Sequence, residues 1–439
     1  MIKKIKSIVL KLDEHTLEVL KKSSASMIVK ALGMLVGILV SVFLGRQIGA
    51  EGLGIINLAN SIVTLMLVIT LFGFNNVLIK NIAISHNNND LQNISDNIYT
   101  STYFNGSLAF FLAILGIIIA PYLSKKIFNT PALEIPLIIA IAMIIPQTFS
   151  RVYASGLNGF RKIWQSNLVN QALSIWVVAI GIALLQFLKI KITVINVAVL
   201  YAIGRLVVSF SVFIYWKSIF KYKKKPKLIL KPMLKMAFPL LIVSGTSIIA
   251  SKADALMLGW LSDVRQVGLY TVATSLALLV SIFLQLSNAA ISPKLASLFA
   301  AKNISDMNVL VKRVTSGLFA IGLVFLFTFI ICGDFFLSLW GEEFKEAYLI
   351  LIILSIGQFF NISTGCVGIL MTMCGFEKEH GLISAIFVII NLVLNYILIK
   401  LYGALGAAVA TAITLTLANI TKLIFVKKKI GILTIPYFN

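Results

Sequence analysis

Charged residues are scarce in this chain: Asp, Glu, Lys and Arg make up only 12% of its 439 residues, whereas soluble domains carry about a quarter. Apolar residues make up 59%, above the usual range of about 45–50%. A water-soluble protein of this composition would lack the polar surface needed to cover its core. The composition therefore excludes a soluble globular protein and predicts an integral membrane protein.

Cysteine and histidine are also rare, with three residues of each. Cys332, Cys366 and Cys374 lie in apolar stretches and form no Cys-x-x-Cys pair, so the sequence predicts neither a disulfide framework nor a metal site. The histidines lie outside the apolar runs, which argues against a histidine proton relay through the membrane. No nucleotide-binding motif is present, and no cofactor is expected.

Long apolar runs dominate the rest of the sequence. Crossing the hydrocarbon core takes about 20 mostly apolar residues. Such runs are predicted at 25–45, 54–79, 98–122, 131–150, 164–188, 193–216, 236–259, 267–290, 314–333, 347–371, 381–400 and 403–426. Pro146 and Pro239 lie inside the fourth and seventh runs and are expected to kink them. The predicted fold class is all-α, with about twelve transmembrane helices.

The basic residues are distributed unevenly along the chain. Lys and Arg number 38 against 16 acidic residues, a net charge of +22. Most of them fall in alternate connections, above all in 217–235, whereas acidic residues collect on the other side, as in 341–346. Because cytoplasmic loops are enriched in Lys and Arg, this pattern predicts cytoplasmic N- and C-termini in a multi-pass inner-membrane protein. Binding to nucleic acid is not needed to explain the charge.

The two halves of the chain resemble each other. Gly54 recurs as Gly268 at an offset of 214, each just after a short outer connection, and 159–162 resembles 375–378 at an offset of 216. The repeat predicts two six-helix lobes related by an axis along the membrane normal, with the substrate path between them. The predicted segments are a basic amphipathic cytoplasmic segment at 1–24, an N-lobe at 25–216, a basic cytoplasmic linker at 217–235, a C-lobe at 236–426 and a cytoplasmic tail at 427–439.

Four charged residues within the predicted spans are singled out as mid-bilayer charges: Lys30, Arg205, Lys252 and Asp254. A charge at mid-bilayer costs roughly 2.5–3.5 kcal/mol on insertion scales, so each of them needs a reason. Lys30 shares a helical stripe with small residues, which points it into the bundle. Asp254 lies about 200° around its helix from Lys252, so these two side chains cannot pair.

Structural roles remain open for each of these charges. Lys30 lies within reach of the inner interface and Lys252 of the outer one, so both side chains can snorkel. Arg205 is too deep for snorkelling, but it can neutralise Asp254 or bond backbone carbonyls. Asp254 is therefore either a structural partner or a partner for an ion or another charge.

The sign of these charges favours an anionic substrate, because three cations face one acid. A pyrophosphate that joins a lipid to a sugar is such an anion, and Lys30, Arg205 and Lys252 are the predicted residues that hold it. Sugar hydroxyls cost roughly 4–8 kcal/mol each when transferred unpaired to a hydrocarbon-like phase, so a polar cavity is required. Its predicted polar lining is Asn57, Asn60, Gln171, Gln285, Asn288 and Asn361.

Three motifs carry a family resemblance: Phe43-Leu-Gly-Arg-Gln-Ile-Gly49, Asp254-Ala-Leu-Met-Leu-Gly259 and Tyr402-Gly-Ala-Leu-Gly-Ala-Ala408. With them the chain resembles, over nearly its whole length, the polysaccharide-transporter branch of the multidrug/oligosaccharidyl-lipid/polysaccharide exporter superfamily, which includes the Wzx-type O-antigen flippases. The resemblance implies export of an undecaprenyl-diphosphate-linked oligosaccharide by alternating access. It also implies a cavity with basic residues, and as partners membrane lipids and other polysaccharide-assembly proteins.

Two other functions compete with this one. A membrane-embedded polysaccharide polymerase or ligase is expected to carry a sizeable outer loop with acid–base or lipid-phosphate residues, but the longest predicted outer connection, 333–346, is short. A drug exporter of the same superfamily would favour cationic substrates, which the three predicted cations disfavour. The sequence therefore predicts a transporter and not an enzyme.

Overall fold

The computed structural model describes residues 14–222 and 224–436, so residues 1–13 of the predicted amphipathic segment lie outside the described residues. Within the described chain every regular element is helical, which confirms the predicted fold class. The α-helices are α1 (Glu14–Leu71), α2 (Phe74–Asn87), α3 (Leu91–Tyr122), α4 (Glu134–Ala142), α5 (Ile144–Gly159), α6 (Ile163–Asn167), α7 (Leu173–Phe187), α8 (Val194–Ile219), α9 (Leu230–Leu261), α10 (Val264–Ala277), α11 (Ser281–Ala300), α12 (Ile304–Ser338), α13 (Tyr348–Ser363), α14 (Val367–Met373) and α15 (Glu377–Ile430). Short 3₁₀ or π-helical turns occupy Leu123–Ile127, Pro131–Leu133, Leu168–Ala172, Leu278–Val280 and Glu342–Ala347.

The long apolar helices account for the predicted spans. Nine helices of the described chain are long and apolar enough to cross a membrane, and the bent pair formed by Pro131–Ala142 and Ile144–Gly159 brings the number to ten. Two of the ten, α1 and α15, are broken by Gly49 (φ 70°) and Gly403 (φ 57°), whose dihedrals are not helical. Because each of these two helices covers two of the predicted spans, ten helices accommodate all twelve.

A proline explains the bend in the fourth span. α4 and α5 meet at 40° beside Met143. Pro146 follows three residues later, and a proline within a helix lacks an N–H donor and crowds the carbonyl four residues before it. The kink expected at Pro146 is therefore confirmed, whereas α9 continues through Pro239 as a single helix.

One compact unit of the structure contains 14–43, Ile62–Leu123 and Pro131–Gly245. Helix α5 is central to it and packs against α2, α3 and α8. The basic connection between α8 and α9 is fixed to α3, because the backbone N–H groups of Lys227 and Ile229 donate to Asp96 Oδ1 (2.7 Å) and Thr100 Oγ1 (3.0 Å). The connection is thus held by hydrogen bonds at its end nearest α9.

The other compact unit contains Leu44–Ser61, Ser124–Thr130 and 246–436. Its central helix is α13, which packs against α10, α12 and α15. The second half of α1 crosses α10 in very close contact: a Cβ at Gly54 would lie 1.9 Å from the Val264 carbonyl oxygen, and one at Gly268 would lie 1.9 Å from that of Ala50. The contact is reciprocal, and it joins the two glycines that the 214-residue repeat relates.

The offset of 216 residues between 159–162 and 375–378 differs from the offset in the structure. Helices α5 and α14 end in the same way, with an N–H bonded at 2.9 Å to the carbonyl five residues earlier and a left-handed residue before it, Arg161 (φ 59°) in one and Gly375 (φ 82°) in the other. Equivalent backbone positions are therefore 214 residues apart, and not 216. Gly375 corresponds to Arg161 and not to Gly159, because a turn is matched by its conformation and not by shared letters.

Large apolar side chains are widely exposed on these helices, for example Phe187 (83% exposed) and Ile331 (77%). Monomeric soluble proteins rarely expose extended apolar surfaces. The surface therefore requires lipid as its solvent, as the composition predicts. The lobe and linker boundaries predicted from the sequence stay a prediction.

Candidate functional site

Arg205 lies on α8 and reaches the bend between α4 and α5. Its Nη1 donates to the Ala140 carbonyl oxygen at 3.4 Å. With the Gln147 amide oriented so that its oxygen faces the guanidinium, this oxygen accepts from both Nη1 and Nε at 3.2 Å. Bonding to a backbone carbonyl was one of the roles left open for Arg205, and the structure has this contact.

A second arginine, Arg151, lies next to Arg205. It follows Gln147 by one helical turn on α5, and it is close enough to Arg205 for the two like charges to repel each other. Its Nη1 donates to Asn170 Oδ1 at 3.0 Å. The sequence-based span boundary at 150 placed Arg151 in a loop, which was wrong, because α5 continues to Gly159. The i, i+4 spacing of Gln147 and Arg151 was the available signal.

A π-helical turn, Leu168–Ala172, positions the amide that holds Arg151. π-turns inside α-helices are frequent at functional sites, because the extra residue changes the direction of neighbouring side chains. Asn170 lies in this turn, and Asn167 just before it donates to Ser26 Oγ on α1. The fifth span thus connects α1 to α5 through two polar contacts within one unit.

Lys30 lies on the stripe of α1 that faces the fifth span. A Cβ at Gly33 would lie 3.0 Å from Ala172 Cβ, so the small residues of the stripe do pack closely against another helix. The Lys30 side chain itself is exposed, as is that of Gln171. The substrate-binding role of Lys30 stays a prediction.

Asp254 on α9 is the centre of a hydrogen-bond cluster in the second unit. Its carboxylate accepts from Tyr270 Oη at 2.5 Å, Asn395 Nδ2 at 2.7 Å and Thr411 Oγ1 at 2.8 Å. All three donors are neutral, and no described Lys or Arg forms an ion pair with it. The angular argument that Lys252 cannot pair with Asp254 agrees with these contacts.

The Asp254 cluster continues into a pocket of about 190 Å³. Asn391 connects the two, because its Nδ2 donates to Thr411 Oγ1 (3.3 Å) and Thr414 Oγ1 (3.2 Å). Asn391, Thr411 and Thr414 line the pocket together with Lys422. Sequence reasoning missed Lys422, because it lies near the predicted end of the last span, where a lysine is ordinary.

The remaining predicted polar residues differ in their contacts and exposure, and their role in lining a cavity stays a prediction. Asn57 donates to a carbonyl of its own helix, and Asn361 bonds Gln358 and Asn419. Lys252, Asn60 and Asn288 are half-buried, whereas Gln285 is exposed. The described residues contain no group of three His, Cys, Asp or Glu side chains that could hold a metal ion. The structure therefore assembles two polar clusters, one around Arg151 and Arg205 and one around Asp254.

Sequence comparison relates the chain to proteins of polysaccharide assembly. Residues 19–299 match a family model described as "Polysaccharide biosynthesis protein". The capsular polysaccharide biosynthesis protein CapF of Staphylococcus aureus is 27% identical over 200 residues, 45% of this chain and 50% of CapF. The probable flippase AglR of Haloferax volcanii is 25% identical over 173 residues, 38% of this chain and 36% of AglR. The matched regions span at most half the length of either relative.

Comparison of structures relates the fold to known transporters. An inward-facing multidrug resistance MATE family transporter of the MOP superfamily matches with a TM-score of 0.75 at 13% identity, over 92% of this chain and 98% of that one. The lipid II flippase MurJ, in an inward closed conformation, matches with a TM-score of 0.66 at 19% identity, over 93% of this chain and 87% of that one. These neighbours have a twelve-helix, two-lobe fold. The fold class and the family resemblance predicted from the sequence are both confirmed.

Proposed function

Because this chain belongs to the polysaccharide biosynthesis protein family, we propose that it is a flippase for a lipid-linked oligosaccharide. The substrate is an undecaprenyl-diphosphate-type glycolipid, which moves from the inner to the outer leaflet of the cytoplasmic membrane by alternating access. The relative named a probable flippase and the MurJ-like fold support transport. No catalytic step is proposed, and both chain termini are placed in the cytoplasm.

The observation that carries the choice of substrate is Arg151 beside Arg205. Bringing two guanidinium groups together in a membrane-spanning unit costs free energy. The partner of Arg151 among the described residues is a neutral amide, Asn170, so its charge stays available for a ligand. Guanidinium groups bind phosphate with two parallel hydrogen bonds, and such charge-assisted bonds are about twice as strong as neutral ones. A diphosphate is the anion that suits such a pair.

The other predicted residues keep supporting roles in this proposal. Lys30 and Lys252 supply further positive charge along the path, and Asn57, Asn60, Gln171, Gln285, Asn288 and Asn361 supply hydrogen bonds to sugar hydroxyls. The membrane potential assists the movement, since it contributes about 2.3 kcal/mol per charge per 100 mV and drives an anion outward. Cations along the path lower the free-energy barrier to movement of the anion, and the membrane potential favours its outward direction.

We propose further that Asp254 binds the cation to which transport is coupled. Its hydrogen bonds come from neutral groups, so the negative charge is not balanced by a described Lys or Arg. Asn395 Oδ1 nearby is buried and has no hydrogen-bond donor among the described residues. Carboxylate, amide and hydroxyl oxygens are the ligands that hard cations prefer, and a proton on the carboxylate is the other candidate.

Deleting the gene and analysing the lipid intermediates tests the flippase proposal. Lipid-linked oligosaccharide should accumulate on the inner leaflet, where glycan-cleaving enzymes added to intact cells cannot reach it, and the wild-type gene should restore export. Unchanged lipid intermediates with altered drug sensitivity would instead favour a drug exporter. Accumulation of single repeat units on the outer leaflet would favour a polymerase or ligase.

A further inference from the structure

A pocket with two cationic side chains lies at the end of α5 in the first unit, away from Arg151 and Arg205. It has a volume of about 570 Å³ and is lined by Arg161 and Lys162, the aromatic rings of Phe160 and Trp164, and the polar side chains of His86 and Gln165. The positive-inside pattern puts this end of the unit on the cytoplasmic side, next to the basic connection 217–235. The pocket therefore lies where a predicted span meets the inner lipid headgroups.

The backbone at Arg161 is suited to glycine, not arginine. Arg161 has a φ of 59°, and Gly375 occupies the equivalent turn with a φ of 82°. A left-handed residue after a helix is usually glycine, because a side chain there meets the backbone. The first copy of the repeat thus has an arginine where the second copy has the residue that the conformation favours. Non-glycine residues in this conformation are concentrated at functional sites. The Arg161 side chain is therefore a candidate for binding a ligand.

Among the described residues, no carboxylate neutralises the charges in this pocket. The Arg161 guanidinium donates to the neutral Asn87 Oδ1 at 3.4 Å, and Lys162 Nζ lies 5.7 Å from the centre of the Tyr215 ring. Neither cation forms an ion pair with a carboxylate in the part of the chain that the structure describes. Two adjacent cations without an acid attract a small anion, and a phosphate group is the anion that an arginine–lysine pair suits best.

The rest of the pocket suits a lipid that carries this phosphate. The Phe160 ring packs on Trp216 with 5.4 Å between ring centres, and Trp164 remains 40% exposed, which is typical of aromatic residues at a membrane interface. Gln165 Oε1 is buried and accepts no hydrogen bond from any described residue. This oxygen needs a donor such as a headgroup hydroxyl.

We propose that this pocket binds one anionic phospholipid with a hydroxylated headgroup, of the phosphatidylglycerol type, in the inner leaflet. The phosphate contacts Arg161 and Lys162, a headgroup hydroxyl donates to Gln165, and the glycerol backbone rests on Phe160 and Trp164. This site is separate from the proposed transport path and does not depend on it. Its role is to hold the inner end of the first unit in the plane of the headgroups.

The experiment titrates phosphatidylglycerol into the delipidated full-length protein and counts bound lipids by native mass spectrometry, with phosphatidylcholine as the neutral probe. Arg161→Gly is the central variant, because glycine suits the backbone and the protein should fold at least as well. Each cation near a membrane surface is worth about a fivefold change in affinity. We expect about fivefold weaker binding for Arg161→Gly and about 25-fold for Arg161→Gly with Lys162→Gln.

Lys378→Gln is the matched control, because it removes an exposed lysine from the first turn of α15, just after the corresponding connection of the second repeat. It should leave phosphatidylglycerol binding unchanged. Equal binding of both lipids by wild type, or unchanged binding by the double variant, would overturn the proposal. Loss of undecaprenyl diphosphate binding with phosphatidylglycerol binding intact would also overturn it, because the pocket would then belong to the transported substrate.

Discussion

At the scale of single residues, the partners of a buried charge indicate its role. A buried arginine that serves stability is normally balanced by a carboxylate, because an unpaired charge is costly. Arg151 is half-buried and is held by the Asn170 amide, which fixes its geometry and leaves its charge. This is the arrangement expected of a residue that binds an anionic ligand.

Replacing Arg151 with Gln should reduce transport at least tenfold while the protein still inserts. A charged hydrogen bond is worth about 1.5–3 kcal/mol, and glutamine keeps the polarity without the charge. The measurement is export of lipid-linked oligosaccharide in the deletion strain, with protein level checked by immunoblot. Arg313→Gln is the control, since Arg313 is exposed on α12 and should be dispensable. Wild-type export by the Arg151 variant would show that this arginine is only structural.

Variants of Asp254 and of its partner Tyr270 separate the effect of the negative charge from the effect of a hydrogen bond. Asp254→Asn keeps the size of the side chain but removes its charge, so transport should lose its dependence on the coupling cation. Tyr270→Phe removes the 2.5 Å hydrogen bond and keeps the charge, so the dependence should persist. Transport in proteoliposomes, measured across sodium and proton gradients, distinguishes these outcomes. If Asp254→Asn responds to both gradients as the wild type does, the carboxylate is a structural partner.

At the scale of helices, a very close contact between two helices of the second unit depends on two glycines. At Gly54 and Gly268 the two helix backbones approach so closely that a methyl group would lie 1.9 Å from a carbonyl oxygen. A backbone atom cannot move away as a side chain can, so the helices must separate. Small residues have this role generally in membrane proteins, because packing replaces the hydrophobic effect there.

Gly54→Ala should therefore destabilise the protein by about 1–3 kcal/mol, as overpacking does. Gly317→Ala is the matched control, because a Cβ there has no heavy atom within 4 Å, and alanine favours the helix. Thermal unfolding of the purified protein in one detergent compares the two variants directly. Equal melting temperatures for wild type and Gly54→Ala would mean that the helices tolerate separation.

The helices also show what a sequence can and cannot predict. The apolar runs and the proline at 146 predicted spans and one kink correctly, since length and a missing N–H donor are local properties. The breaks at Gly49 and Gly403 fall at predicted boundaries between spans, whereas the π-helical turn that holds Asn170 lies inside the predicted fifth span, where the apolar pattern gives no sign of it. Arg151 was missed because its own charge lowers the local hydropathy, so the predicted span ended at 150 although the helix continues to Gly159.

At the scale of the whole molecule, the charge distribution predicts the orientation in the membrane. Lysines of cytoplasmic loops resist translocation, so the side that carries 217–235 should face the cytoplasm. The acidic segment Glu342–Ala347, in which the Glu342 side chain is 81% exposed, is expected to face the other side. The orientation is thus testable at two accessible points.

Single cysteines at 224 and 342 should report opposite sides of the membrane. In a background with Cys332, Cys366 and Cys374 replaced, a membrane-impermeant maleimide added to intact cells should label Glu342→Cys and not Lys224→Cys. Permeabilised cells provide the control, because both positions should then react. The reverse labelling pattern would place the lysine-rich connection outside and would contradict the predicted orientation. Labelling of both positions in intact cells would mean that the chain inserts in two orientations, which the strong charge asymmetry argues against.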